Sequence, residues 1–178
     1  MKPKPHLNES GLYDYAIKAL ARRMRTEAEM RRLMQARVEP GPHGEEVIDA
    51  TVMRIKQNGY LNDAVYAETY TRLRKENEKF GLRRVRQDLR QKGVSVNLVE
   101  KTIGESYAKT DEETLARQHL ERKRIRKPSN EKETARIMRR LVTAGFSTSV
   151  IYKILRQWDV SDESLSALDN IEEDQTSE

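Results

Sequence analysis

Apolar residues recur at helical spacing along this chain, and one comb of them is written three times. Met30/Met34/Val38, Val85/Leu89/Gly93 and Ile137/Leu141/Gly145 share a four-residue step. Before each comb stands an apolar residue followed by alanine, at Tyr15-Ala16, Tyr66-Ala67 and Leu115-Ala116. After each comes a paired apolar step with a third apolar residue further on: Val47-Ile48-Val52, Leu98-Val99-Ile103 and Val150-Ile151-Leu155. A step of three or four residues places side chains on one face of a helix, whereas a strand would need alternation, and no run alternates long enough to make one. The pattern predicts an all-α protein of three tandem three-helix repeats, stacked as an elongated curved array in which each unit packs on its neighbours. The expected divisions are a loose lead-in over 1–11, repeats over 12–61, 62–110 and 111–158, and a tail over 159–178.

Local signals mark several helix ends. Thr26-Glu27-Ala28-Glu29 has the form of a capping box, with serine or threonine at the cap and glutamate three residues on. Glu39 through Gly44 carries two prolines and two glycines and reads as a loop inserted in the first repeat. Asn62 or Asp63 caps the helix that follows Gly59. Gly93 and Gly145 stand where helices end in the left-handed conformation, so both are expected at positive φ. Val38 holds the equivalent place in the first repeat, so that helix should end differently, in the Pro40–Gly44 loop.

Charge adds a direction to this plan. All 34 Lys and Arg lie in residues 1–158 beside 21 acids, a body of net charge +13, while residues 159–178 hold eight acids and no base. Such a tail is expected to be disordered and solubilising, with masking of the basic body as the alternative. The chain has no cysteine, which removes disulfides and thiolate metal sites. Its longest apolar run is the four residues Ala64 to Ala67, too short for a membrane span or a signal-peptide core, and a cytoplasmic protein is expected.

The densest message lies in residues 81–95, where Leu82, Val85 and Leu89 form an apolar stripe and Arg83, Arg86 and Arg90 a row beside it. With Gly59-Tyr60-Leu61-Asn62-Asp63, Tyr66-Ala67, Tyr70, Arg72 and Arg74 upstream, this segment resembles the central signature of the RecX family, small bacterial regulators of the RecA recombinase. Three departures stand out. Lys79 replaces a usual glycine, Leu82 replaces a common proline, and one extra residue separates Arg74 from Gly81. The resemblance implies a non-enzymatic modulator that binds RecA filaments on single-stranded DNA and suppresses filament growth, ATP hydrolysis and strand exchange. It implies no cofactor, and a monomer is expected.

Candidate contact residues follow from charge and resemblance together. Arg83, Arg86 and Arg90, with Arg84 and Lys92 beside them, form either a filament- and DNA-binding face or a solvated helix surface. Arg72 and Arg74, read as the end of the preceding helix, serve either binding or the helix dipole. Arg122, Lys123, Arg124, Arg126 and Lys127 make a second basic patch or a solvated linker. Tyr66 and Tyr70, four apart, suit core packing better than base stacking. His6, His43 and His119 have no ligand-like spacing, and no phosphate loop or nucleophile motif is present, so enzyme chemistry is not expected. The main alternative is a helix-turn-helix module reading DNA directly. Repeated arginines around a single Gln87 suit backbone contact better than base readout.

Overall fold

The helix starts marked in the sequence are made by side chains that accept from the first free amide groups. In the computed structural model, which describes residues 6–160, Thr26 Oγ1 accepts from Glu29 N at 3.1 Å and Glu29 Oε2 accepts from Thr26 N at 3.3 Å. That closes the capping box and opens α2, Glu27–Gln35. Asn62 Oδ1 caps α4, Asp63–Glu78, by accepting from Ala64 N and Val65 N. Asp63 is left to accept from Glu27 N at 2.8 Å, placing a carboxylate at the positive end of α2. Burial of Asp63 is the larger influence on its carboxyl and raises its pKa.

The remaining helices are α1 Glu9–Arg22, α3 Pro42–Gln57, α5 Leu82–Gln91, α6 Val96–Tyr107, α7 Glu112–Arg122, α8 Glu131–Thr143 and α9 Thr148–Gln157. Among the described residues there is no strand, and the nine helices follow one another as three sets of three. The repeated comb is the core: Ala16, Ala67 and Ala116 are fully buried, as are Met30, Met34, Val85, Leu89 and Leu141. Even the paired step behaves alike in all three sets, with Val47, Leu98 and Val150 half-buried and Ile48, Val99 and Ile151 buried. Burying each such Leu, Ile or Met contributes about 1.5–3 kcal/mol. Tyr66 and Tyr70 stack at 5.9 Å within the fold, and the Tyr70 hydroxyl donates to Asp88 at 3.0 Å, as packing residues do.

Three boundaries differ from the sequence expectation. α1 begins at Glu9, inside the supposed lead-in, because Asn8 Oδ1 accepts from Gly11 N at 3.0 Å and caps it. The supposed loop through Gly44 ends earlier, since Pro42 occupies the first helical position of α3, where its missing N–H costs nothing. Arg72 and Arg74 do not end their helix, which runs on to Glu78. The acidic segment beyond residue 160 lies outside the described residues.

Backbone proximity gathers the described chain into two units, one holding 6–70 and 88–102 and the other 71–87 and 103–160. Each contains the same junction. In the first, Thr26 Oγ1 donates to Lys92 O at 2.6 Å, and a β-carbon on Gly93 would lie 2.4 Å from that of Ala28. In the second, Gly81 N donates to Ala144 O at 2.8 Å, and a β-carbon on Gly145 would lie 2.3 Å from Arg84 N. Aligning the combs superposes Thr26 on Gly81, Lys92 on Ala144 and Gly93 on Gly145. The end of a middle helix therefore docks on the start of the middle helix before it, twice over. Gly93 and Gly145 have the expected positive φ, 79° and 92°. In the first set, where Val38 replaces glycine, α2 stops at Gln35, ahead of the Pro40–Gly44 loop expected to end it, and Val38 is buried instead.

Lys79, the departure from the family's glycine, also has positive φ, at 54°. The backbone thus keeps a glycine conformation under a lysine, at a cost of about 1–2 kcal/mol. Lys79→Gly removes that strain but loosens the unfolded chain by about 0.5–1 kcal/mol. Urea unfolding is expected to show the variant more stable than the parent by up to about 1 kcal/mol; a clear loss of stability would contradict this reading.

Candidate cationic interface

The basic residues singled out from the sequence divide by what already holds them. On α5, Arg83 is exposed and its guanidinium has no hydrogen bond or ion pair among the described residues. Arg86 is half-buried and already engaged within the protein, as is Arg74. Arg84 is half-buried with its guanidinium 5.9 Å above the Phe80 ring. Arg90 pairs with Glu100 at 2.7 Å. Lys92 pairs with Glu29 at 3.3 Å and lies 5.4 Å from the Tyr70 ring centre. Burial works to lower its pKa, but contacts with Tyr66 and Glu29 outweigh it and raise the net value. Arg72 holds Glu76 one turn on, at 3.3 Å. These seven residues are therefore not a uniform row of open charges.

The second patch divides in the same way. Arg122 and Lys123 both reach Glu78, at 3.7 and 3.4 Å, and Lys127 pairs with Asp159 at 2.7 Å. Arg124 and Arg126 are exposed without such a partner. What sequence reading passed over is α8. Arg136, Arg139 and Arg140 are exposed on its outer side, with no hydrogen bond or ion pair among the described residues. The signal was present, because these positions interleave with Ile137 and Leu141 of the third comb.

Two neutral groups anchor this part of the second unit. His119 is buried, its Nδ1–H donating to Glu78 O at 2.9 Å and its ring edge-on to Phe146. Burial, the main cause, holds its pKa below the usual range for histidine, so it stays neutral. The Tyr107 hydroxyl donates to Phe80 O at 2.8 Å, and burial raises its pKa well above that of a free phenol. Both bonds fix the segment between Glu78 and Gly81 that leads into α5. Among the described residues no His/Asp/Glu group has the make-up of a metal site, and no helix is long and apolar enough to cross a membrane.

Fold and surface together define a helical-repeat protein with cationic helix faces. Comparison with known proteins narrows this. The pattern of the second three-helix domain of RecX matches residues 62–103. The regulatory protein RecX of Cronobacter sakazakii is 34% identical over 158 residues, covering 84% of this chain and 93% of its own. That of Thermobifida fusca is 30% identical over 79% of this chain and 75% of its own. A crystal structure of RecX from Lactobacillus salivarius superposes with a TM-score of 0.61 at 25% identity, over 85% of this chain and 96% of that one. The chain belongs to the RecX family.

Proposed function

We propose that this chain is a non-enzymatic, cytoplasmic regulator of the RecA recombinase. It acts as a monomer that binds the RecA filament on single-stranded DNA and suppresses filament extension, ATP hydrolysis and strand exchange. The observation that carries this is the match to proteins named regulatory protein RecX, over 93% of the length of the Cronobacter protein. Cationic helices supply the physics: they accelerate encounter with an anionic protein–DNA polymer, and contacts to several filament subunits add as avidity. Arg83 is the first contact proposed, and Arg72, Arg74, Arg84, Arg86, Arg90 and Lys92 are the further candidates.

Direct reading of duplex DNA is the weaker account. A helix-turn-helix module inserts the first turn of its recognition helix into the major groove. Here the start of α5 is occupied, with Gly81 N donating to Ala144 O and Arg83 N to Gly145 O at 3.4 Å. Fluorescence anisotropy separates the two. The protein should bind RecA-coated single strands at least about tenfold more tightly than naked single- or double-stranded DNA of random sequence, a margin of 1.4 kcal/mol or more. Equal or tighter binding to bare duplex would favour the DNA-reading account.

A further inference from the structure

The second unit contains an open pocket of about 570 Å3. Phe80, Ile125 and Ala144 supply an apolar floor beside the neutral ring of His119. Around them stand Arg84, Lys123, Arg136, Arg139 and Arg140, and no carboxylate lines the pocket. A cavity of about 440 Å3 in the first unit offers the contrast, because its charges are already matched, Arg31 to Asp49 at 2.6 Å and Lys56 to Glu27 at 2.8 Å.

The α8 arginines work against their own helix. Like charges three and four residues apart cost about 0.2–0.5 kcal/mol per pair. Glu133, one turn earlier, offsets this in part for Arg136, while Arg139 and Arg140 have no hydrogen bond or ion pair among the described residues. A pocket with cations around an apolar floor matches a ligand that brings several anionic groups and one aliphatic group. A stacked base fits less well, since the Phe80 ring is already engaged by Arg84 at 5.9 Å and His119 at 5.8 Å.

The chain itself carries such a ligand. Residues 161–178 hold seven acids, no Lys or Arg, and Leu165, Leu168 and Ile171 at three-residue steps. Their starting point lies within reach of the pocket. Asp159 pairs with Lys127 at 2.7 Å, and Lys127 is two residues from Ile125 of the pocket floor. Side-chain and backbone lengths then place Asp159 within about 20 Å of Ile125, a span that about six extended residues cover. Tethering at this range gives an effective concentration of order millimolar, which favours this segment over a free peptide of the same chemistry.

We propose that the pocket is a docking site for an acidic peptide with aliphatic anchors, and that its occupant is this chain's own segment 161–178. An aliphatic side chain from residues 165–171 covers the floor, and neighbouring carboxylates neutralise the α8 arginines. The segment thereby masks the basic face until a stronger anion displaces it.

Because the chain has no cysteine, the full-length protein can be tested with engineered pairs. Thr143 lines the pocket; Ser149 is exposed and does not. In a glutathione redox buffer with neither RecA nor DNA, Thr143→Cys/Ser166→Cys should form its internal disulfide with at least tenfold higher effective concentration than Ser149→Cys/Ser166→Cys. Chain tethering alone would favour the second pair, whose loop is shorter. The excess should vanish in 1 M salt, with Leu165→Ser/Leu168→Ser/Ile171→Ser, and with Arg136→Glu/Arg139→Glu/Arg140→Glu. The serine variant leaves every pocket residue in place, so it decides the matter even if the arginine variant misfolds. Equal effective concentrations for the two pairs would overturn the proposal, as would an excess that survives the serine substitutions. Equal crosslinking together with oligothymidylate binding that the arginine variant loses would give the pocket to nucleic-acid phosphate instead.

Discussion

Gly145→Ala should destabilise the protein by about 3 kcal/mol or more, lowering Tm by roughly 6–12 °C for a domain of this size. The added carbon would meet backbone as well as side chain: Arg84 N at 2.3 Å, Arg84 Cβ at 2.6 Å and Arg84 Cα at 2.9 Å. Relief requires moving the end of α8 from the start of α5. That weakens the hydrogen bonds from Gly81 N and Arg83 N, each contributing about 1 kcal/mol. The left-handed φ of 92° adds about 1 kcal/mol for any β-carbon. Gly59→Ala isolates that last contribution, because φ is 73° there and nothing lies within 4 Å. Calorimetry should give it a loss of only about 1 kcal/mol. Similar losses for the two variants would mean that the junction is not tightly packed.

Reversing the α5 charges should have the largest functional effect. Arg83→Glu, Arg86→Glu and Arg90→Glu together are expected to raise the concentration needed for half-inhibition of RecA by about 100-fold, corresponding to about 2.7 kcal/mol. Arg83 should account for the greatest share, since its charge is open whereas Arg90 already serves Glu100. The fold should persist because Val85 and Leu89 fill the buried side of this helix, although reversing Arg86, which is engaged within the protein, and Arg90, which serves Glu100, is expected to cost some stability. Arg90→Gln breaks the Glu100 pair without reversing charge, so it separates the local ion pair from the interface. Inhibition by the parent protein should also weaken with salt, as the Debye length falls from about 10 Å at 0.1 M towards 3 Å at 1 M.

Much of the architecture was written in short-range terms that a sequence displays. Helical spacing, the Thr26–Glu29 box and the glycines 93 and 145 each depend on neighbours within a turn, and each is found in the structure. The junction partners were not legible. Nothing near Gly145 shows that it will meet Arg84, about sixty positions earlier; only the equivalence of Gly93 and Ala28 exposes the rule. Charge was legible in amount but not in use. Arg90, Arg122, Lys123 and Lys127 look as open as Arg83 in the sequence, yet acids from other elements hold them. Arg136, Arg139 and Arg140 are hard to see in the sequence because they are scattered between core residues, unlike the compact run 122–127. Lys79 shows the converse: its left-handed φ of 54° is one that nothing in a lysine side chain announces.

Regulation of RecA through filament binding is expected to show in ATP hydrolysis. RecA would be assembled on circular single-stranded DNA and its steady-state ATPase followed while this protein is added at substoichiometric to stoichiometric amounts. The expected result is progressive suppression by the parent protein, reaching most of the activity below one regulator per RecA, with little suppression by the triple α5 variant at the same concentrations. An ATPase rate unchanged by equimolar folded parent protein would rule out this mode of regulation.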